Sequence, residues 1–230
     1  MMANQKLVNP PLTVLPLENG DRLSRAEFER RYSAMSQVKK AELIEGIVYM
    51  ASPLRFRSHG QPHARIIGWL AVYEAATPGV ELGDNATVRL DADNEPQPDA
   101  LLRIDVGGRS QISDDDYVEG APELIVEVAA STASYDLHEK LRVYRRNGVQ
   151  EYVIWRVYNC ELDWFQLRDG EYMRLEPNIE GIIFSEVFPG LCLDVSALLL
   201  GDLARVLEVL QQGLAAPEHQ SFLESLAISH

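Results

Sequence analysis

PELIVEVA, residues 122–129, is apolar on both faces after Glu123 except at Glu127. A run of this kind reads as a central strand covered on both sides. Next comes YDLHEKLRVYRRNG (135–148), in which Asp136 and Glu139 make a capping pair and Leu137, Leu141 and Tyr144 line one helical face. Gly148 ends that helix, and a second strand, 151–157, follows at once. Strand, helix and strand in this order predict that the strands of Glu127 and Tyr152 are parallel neighbours.

The flanking sequence extends this unit. Upstream, runs 86–90 and 99–104 read as strands, and the acidic loop between the second of them and Glu127 (Asp114, Asp115, Asp116, Glu119) reads as solvated. AELIEGIVYMAS (41–52) predicts two strands joined by a tight turn at Glu45-Gly46. Ser24 and Glu27 cap a short helix running to about Met35. Pro62 stands just inside the start of an amphipathic helix with Ile66, Ile67, Leu70 and Tyr73 on its inner face, ended by Thr77-Pro78-Gly79. Downstream, 161–167 and 172–175 predict a meander, and 197–226 return to helix with Leu203, Val206, Leu207 and Leu210 in register. The fold class is α/β, a mixed central sheet flanked by helices. The expected organisation is an arm (1–22), a main domain (23–196) and a C-terminal helical extension (197–230). That apolar extension predicts a homodimer.

The chain has 230 residues, 46% hydrophobic and 24% charged, as ordinary globular domains do. No apolar run reaches 18 residues, and the proline-broken N-terminus lacks the basic start and apolar core of a secretion signal, so the expected compartment is the cytoplasm. Cys160 and Cys192 are far apart and read as two buried free thiols. The net charge of −14 argues against non-specific, high-affinity DNA binding, which rests on phosphate neutralisation. Basic residues concentrate only at 55–65 and 140–146. The acidity is no obstacle to a metal site.

Three residues carry the chemistry. A carboxylate inside an apolar strand is costly unless it is paired, protonated or metal-bound, which singles out Glu127. It shares a strand face with Ile125 and Ala129. Asp99 opens another strand directly after Pro98, so the two acids can converge on one cation; Mg²⁺ takes few carboxylates and completes its shell with water and phosphate. Taken singly, Asp99 also fits a turn and Glu127 a buried ion pair. Lys140 flanks the buried face of the next helix, where its stem can carry the ammonium to the carboxylates or simply pair with Asp136 at i−4.

QPDALL (97–102), PELIVEVAAST (122–132) and YDLHEKLRVYRRNGVQEYVIW (135–155) together resemble the Uma2 family, also called the putative restriction endonuclease domain DUF820. AELIEGIVYMASP (41–53) resembles its first hairpin, with Glu45 at the acidic position, and the likeness runs from about residue 25 to 195. The resemblance implies a restriction endonuclease-like PD-(D/E)xK core. It implies Mg²⁺, or Mn²⁺, on Asp99 and Glu127, with Glu45 as a third carboxylate. The strict motif has lysine two residues after the glutamate; here that residue is Ala129, and Lys140 must act from the helix. The catalytic set is then Asp99, Glu127 and Lys140, in a Mg²⁺-dependent endonuclease or phosphodiesterase acting on nucleic acid, DNA foremost. The alternatives are an inactive nuclease-fold binding module and a hydrolase of small phosphoesters. His59 and His63, spaced i, i+4, read as cleft-wall or phosphate contacts beside Arg55 and Arg57 rather than as zinc ligands, since no acid follows them at protease spacing. Ser131, Thr132 and Ser134 lack a nucleophile elbow, and Trp69, Trp155 and Trp164 read as core or dimer contacts.

Overall fold

The computed structural model describes residues 14–51, 53–130 and 135–228. In chain order, helix α1 (Arg25–Ser33) leads to hairpin β1 (Ala41–Ile44) and β2 (Ile47–Met50). A π-helical turn, Phe56–Gly60, opens into α2 (Gln61–Ala75). Then come β3 (Val80–Asp84), β4 (Val88–Arg89), β5 (Ala100–Ile104), β6 (Ser110–Ile112), β7 (Val118–Gly120) and β8 (Leu124–Ala129). A second π-helical turn, Asp136–Lys140, precedes α3 (Leu141–Asn147). Strands β9 (Glu151–Arg156), β10 (Glu161–Arg168), β11 (Glu171–Arg174), β12 (Ile182–Phe184) and β13 (Cys192–Asp194) follow. Helices α4 (Val195–Leu200), α5 (Leu203–Leu214) and α6 (Pro217–Ile228) complete the order.

The main sheet runs β11-β10-β9-β8-β5-β3. β8 and β9 are parallel, Glu127 opposite Ile154, and every other pairing in this sheet is antiparallel. The sheet is therefore mixed, with the parallel pair at its centre as the strand–helix–strand unit predicts.

The alternation within β8 divides the core. Val126 and Val128 face a cluster with Ile66, Trp69, Leu70 and Tyr73 of α2 and Val206 and Leu210 of α5. Ile125 and Ala129 face the opposite side, with Val143 and Tyr144 of α3 and Tyr152 of β9. Glu127 thus points to the α3 side. All three tryptophans are buried.

Several expectations change. The run 86–90 shortens to β4 and leaves the main sheet for a small one, β4-β7-β6. Its backbone is taken by the neighbouring segment: Val88 N–H donates to Pro96 O at 2.9 Å and Leu90 N–H to Asn94 O at 3.1 Å. Cys192 is buried, but Cys160 is exposed. It occupies a left-handed turn position after β9, with φ 52°. Among the described residues the C-terminal helices turn their apolar face inward: Val206, Val209 and Leu210 of α5 and Leu226 of α6 are buried within the chain. The ground on which the extension predicted a homodimer is removed by that packing. Ser131, Thr132 and Ser134 lie outside the described residues.

Candidate active site

Strand register brings Asp99 and Glu127 together. β5 and β8 are antiparallel, Ala100 opposite Val126 and Leu101 opposite Ile125. Continuing one residue sets Asp99 opposite Glu127, and facing residues on such strands have Cβ atoms about 4.5–5.5 Å apart. The β5 ladder begins only at Ala100, and just ahead of it the Asp99 side chain takes over its role: Oδ2 accepts the Val128 N–H at 2.8 Å. Both carboxylates are 4% exposed.

The two π-helical turns deliver a cationic or ring partner to each acid. Such wide turns recur at functional sites. From the first, His59 Nε2 donates to both Asp99 oxygens at 3.2 Å. Lys40 Nζ stands 3.6 Å from Asp99 Oδ1. From the second, Lys140 is turned inward by the packing of α3 on the sheet. Its Nζ donates to Glu127 Oε1 at 2.7 Å and to Glu42 Oε1 at 2.8 Å, with Asp136 Oδ1 at 3.9 Å. Tyr144 OH adds a donor to Glu127 Oε1 at 2.9 Å, and the Gln97 N–H donates to Glu42 Oε1 at 2.8 Å.

The two acids titrate in opposite directions. Burial raises Asp99, but the His59 bond, the Lys40 charge and the Val128 N–H outweigh it and hold the carboxyl down at about 2. Burial dominates at Glu127. It pushes this carboxyl above its ordinary value against the pull of Lys140, and Asp99, Asp136 and Glu42 push the same way. Burial alone lowers a lysine, yet Glu127, Glu42 and Asp136 keep Lys140 firmly charged. Separated pKa values among touching groups in a buried cluster are a physical mark of a functional site.

The family model described as Uma2, putative restriction endonuclease, matches residues 25–196. The chain belongs to the Uma2 family. A crystal structure described as a putative nuclease belonging to DUF820, from Anabaena variabilis, is similar with a TM-score of 0.56 at 12% identity, covering 74% of this chain and 96% of that one. At that identity the likeness is one of fold. Comparison with curated proteins finds no match.

Within this Uma2 chain the structure brings Asp99, Glu127, Lys140 and His59 into one cluster. His63 touches it through the backbone, its Nε2 lying 2.9 Å from Asp99 O and 3.0 Å from Asp84 Oδ1. Glu45 is not part of it. Glu45 and Gly46 both take positive φ (53° and 70°) in the β1–β2 turn, and the Glu45 carboxylate binds Arg146 Nη1 at 2.9 Å on the surface. The acid that reaches Lys140 is Glu42, three residues earlier. Arg55 and Arg57 are exposed. Sequence reasoning missed Glu42, Lys40 and the Tyr144 hydroxyl. Glu42 carried the signal used for Glu127, a carboxylate within a short apolar strand.

The cluster can be tested for the divalent cation that a Uma2 site implies. Among the described residues, no three His, Cys, Asp or Glu side chains form a ready metal-binding group. A two-carboxylate hold does fit. Mg²⁺ uses hard oxygen donors, commonly one or two carboxylates, with water and phosphate supplying the rest. The hydrogen bonds to Glu127 and Glu42 all fall on Oε1, so Oε2 of each has none among the described residues. Four buried carboxylates, Glu42, Asp99, Glu127 and Asp136, face two ammoniums, Lys40 and Lys140. The carboxyls outnumber the ammoniums, and a bound cation would take the place of the proton that burial favours on Glu127.

Proposed function

We propose that this Uma2 protein is a metal-dependent endonuclease that hydrolyses phosphodiester bonds of nucleic acid. One observation carries the reading: two buried acids held opposite each other by register, one of them 2.7 Å from a buried lysine. Asp99 and Glu127 would hold Mg²⁺ or Mn²⁺, and Glu42, in place of Glu45, is the third acid. The bound cation supplies a Lewis acid and a water of lowered pKa. The protein's own groups do the rest. His59 and the Val128 N–H fix the Asp99 carboxylate in one orientation. Tyr144 and Lys140 do the same for Glu127. The Lys140 ammonium can release one glutamate and offset charge gathering on the phosphate as the bond breaks.

The test is cleavage of plasmid DNA, single-stranded DNA and RNA with Mg²⁺ or Mn²⁺ by the wild type, Asp99→Asn and Glu127→Gln. Loss of cleavage in both folded variants supports the proposal; no cleavage by the wild type, or activity surviving in both, rejects it. A second reading is favoured by Lys140 itself. An ammonium already seated on Glu42 and Glu127 describes an internally neutralised, non-catalytic binding module. Calorimetric titration with Mn²⁺ separates the two, since only the nuclease binds the ion in a manner abolished by Glu127→Gln.

A further inference from the structure

The loop that leads into the first π-helical turn has an unusual surface. Pro53-Leu54-Arg55-Phe56-Arg57-Ser58-His59-Gly60 contains no acid, in a chain with 35 acids and 21 lysines and arginines. Leu54 is 65% exposed and Phe56 72%. Arg55 and Arg57 are exposed on either side of Phe56, and neither forms an ion pair among the described residues. The turn packs beside the 3₁₀ turn Val157–Asn159, whose Tyr158 is 61% exposed. Large apolar side chains grouped in water mark a surface that something covers.

Position says what covers it. The backbone is fixed: His59 N–H and Gly60 N–H both donate to Arg55 O, at 3.0 and 3.1 Å. His59, three residues after Phe56, is itself bound to Asp99. Phe56 therefore opens the same turn that delivers His59 to Asp99. Lys40 borders the same rim, because Ala51 N–H donates to Lys40 O where the hairpin runs into this loop. Cations for phosphates interleaved with an aromatic face for bases is the recognition chemistry of unpaired nucleic acid. In a duplex the base faces are stacked on one another and closed to such a ring, whereas a single strand offers them.

We propose that Phe56, with Tyr158 beside it and Arg55 and Arg57 on the backbone, is a stacking platform for an unpaired nucleotide next to the scissile bond, and that the preferred substrate is single-stranded or flapped nucleic acid. This rests on the nuclease reading above. The experiment is fluorescence anisotropy with a labelled mixed-sequence single strand and the same sequence as duplex, in EDTA so that nothing is cut. The wild type should prefer the single strand. Phe56→Ala should weaken that binding about 5- to 150-fold, the loss of one stacked base, and leave duplex binding unchanged. Phe56→Trp should restore it, and Arg55→Gln/Arg57→Gln should weaken both forms and lower the salt dependence. Equal binding of both forms with no effect of Phe56→Ala overturns the platform. A wild-type dimer by light scattering that Phe56→Ala splits also overturns it, by making the patch an interface between copies. Failure of the wild type to bind any strand and to cut any in Mn²⁺ rejects the nuclease reading itself. Cleavage of duplex with Phe56→Ala indifferent to every substrate rejects only the platform.

Discussion

Replacing Lys140 with methionine keeps most of the buried stem and removes the charge. In the wild type the ammonium lies 2.7 Å from Glu127, 2.8 Å from Glu42 and 3.9 Å from Asp136, all within the protein. Removing one partner of a buried ion pair leaves uncompensated charge and costs roughly 3–5 kcal/mol. For a chain of this size each kcal/mol moves the melting temperature by about 2–4 °C, so the expected drop is roughly 6–20 °C. Two further readouts make the prediction sharp. Without the ammonium the buried Glu127 stays folded only by holding a proton, so the deficit should be smaller at pH 5.5 than at pH 8.5. Mn²⁺ at a hundred times its Kd should return about 2.7 kcal/mol, or roughly 5–11 °C, if the vacated carboxylates accept the ion. Scanning calorimetry of both proteins at both pH values, with EDTA and with Mn²⁺, gives all three. A drop below about 2 °C, or one equal at the two pH values, would refute the claim that Lys140 is the counter-ion of this cluster.

Glu42→Gln should lower Mn²⁺ affinity and cleavage by about tenfold or more, whereas Glu45→Gln, which loses only a surface bond to Arg146, should match the wild type in both assays. Glu151 is buried and accepts from Ser185, Trp164, Glu186 and Val187, yet burial outweighs these bonds and raises its pKa to about 7. The folded state then holds a proton that the unfolded state releases near 4.5, so this contribution is complete below that pH and is lost as pH rises through 7; Glu151→Gln should be less stable overall, with a flatter stability profile between pH 5 and 8 in urea titrations. Gly213→Ala should destabilise by about 1–3 kcal/mol although alanine is the better helix former, because its Cβ would meet Gly190 O at 2.3 Å and Cys192 Sγ at 2.7 Å; an unchanged or higher melting temperature would contradict that packing.

The core of the fold and half of the candidate cluster were legible because they rest on local pattern. The apolar run of β8 announced a central strand, Gly148 closed the crossover, and an acid stranded in that run could not be bland. Asp99 followed from Pro98, and Lys140 from its place beside the apolar face of a helix. What could not be read depends on pairings distant in sequence. AELIEG offers two acids three residues apart, and only the hairpin's docking against Lys140, 98 residues on, selects Glu42. Glu45 falls to the positive-φ turn instead. Tyr144 was read as a core residue, which it is, but its hydroxyl direction is set by β8. The C-terminal helices looked unsatisfied because their partner, α2, lies more than a hundred residues earlier.

The two π-helical turns have a consequence for how this site varies among sequences. Each holds one residue more than an α-helical turn would, immediately before a regular helix. Deleting a single residue from 136–140 would let the segment relax to α-helix and turn its two ends by about 100° relative to each other, so that Asp136 and Lys140 could not both keep their places in the cluster. The change would be invisible to composition, to hydrophobic pattern and to the packing of α3 itself. The length of these turns thus matters to the geometry of the cluster as much as the residues at positions 99, 127 and 140 do.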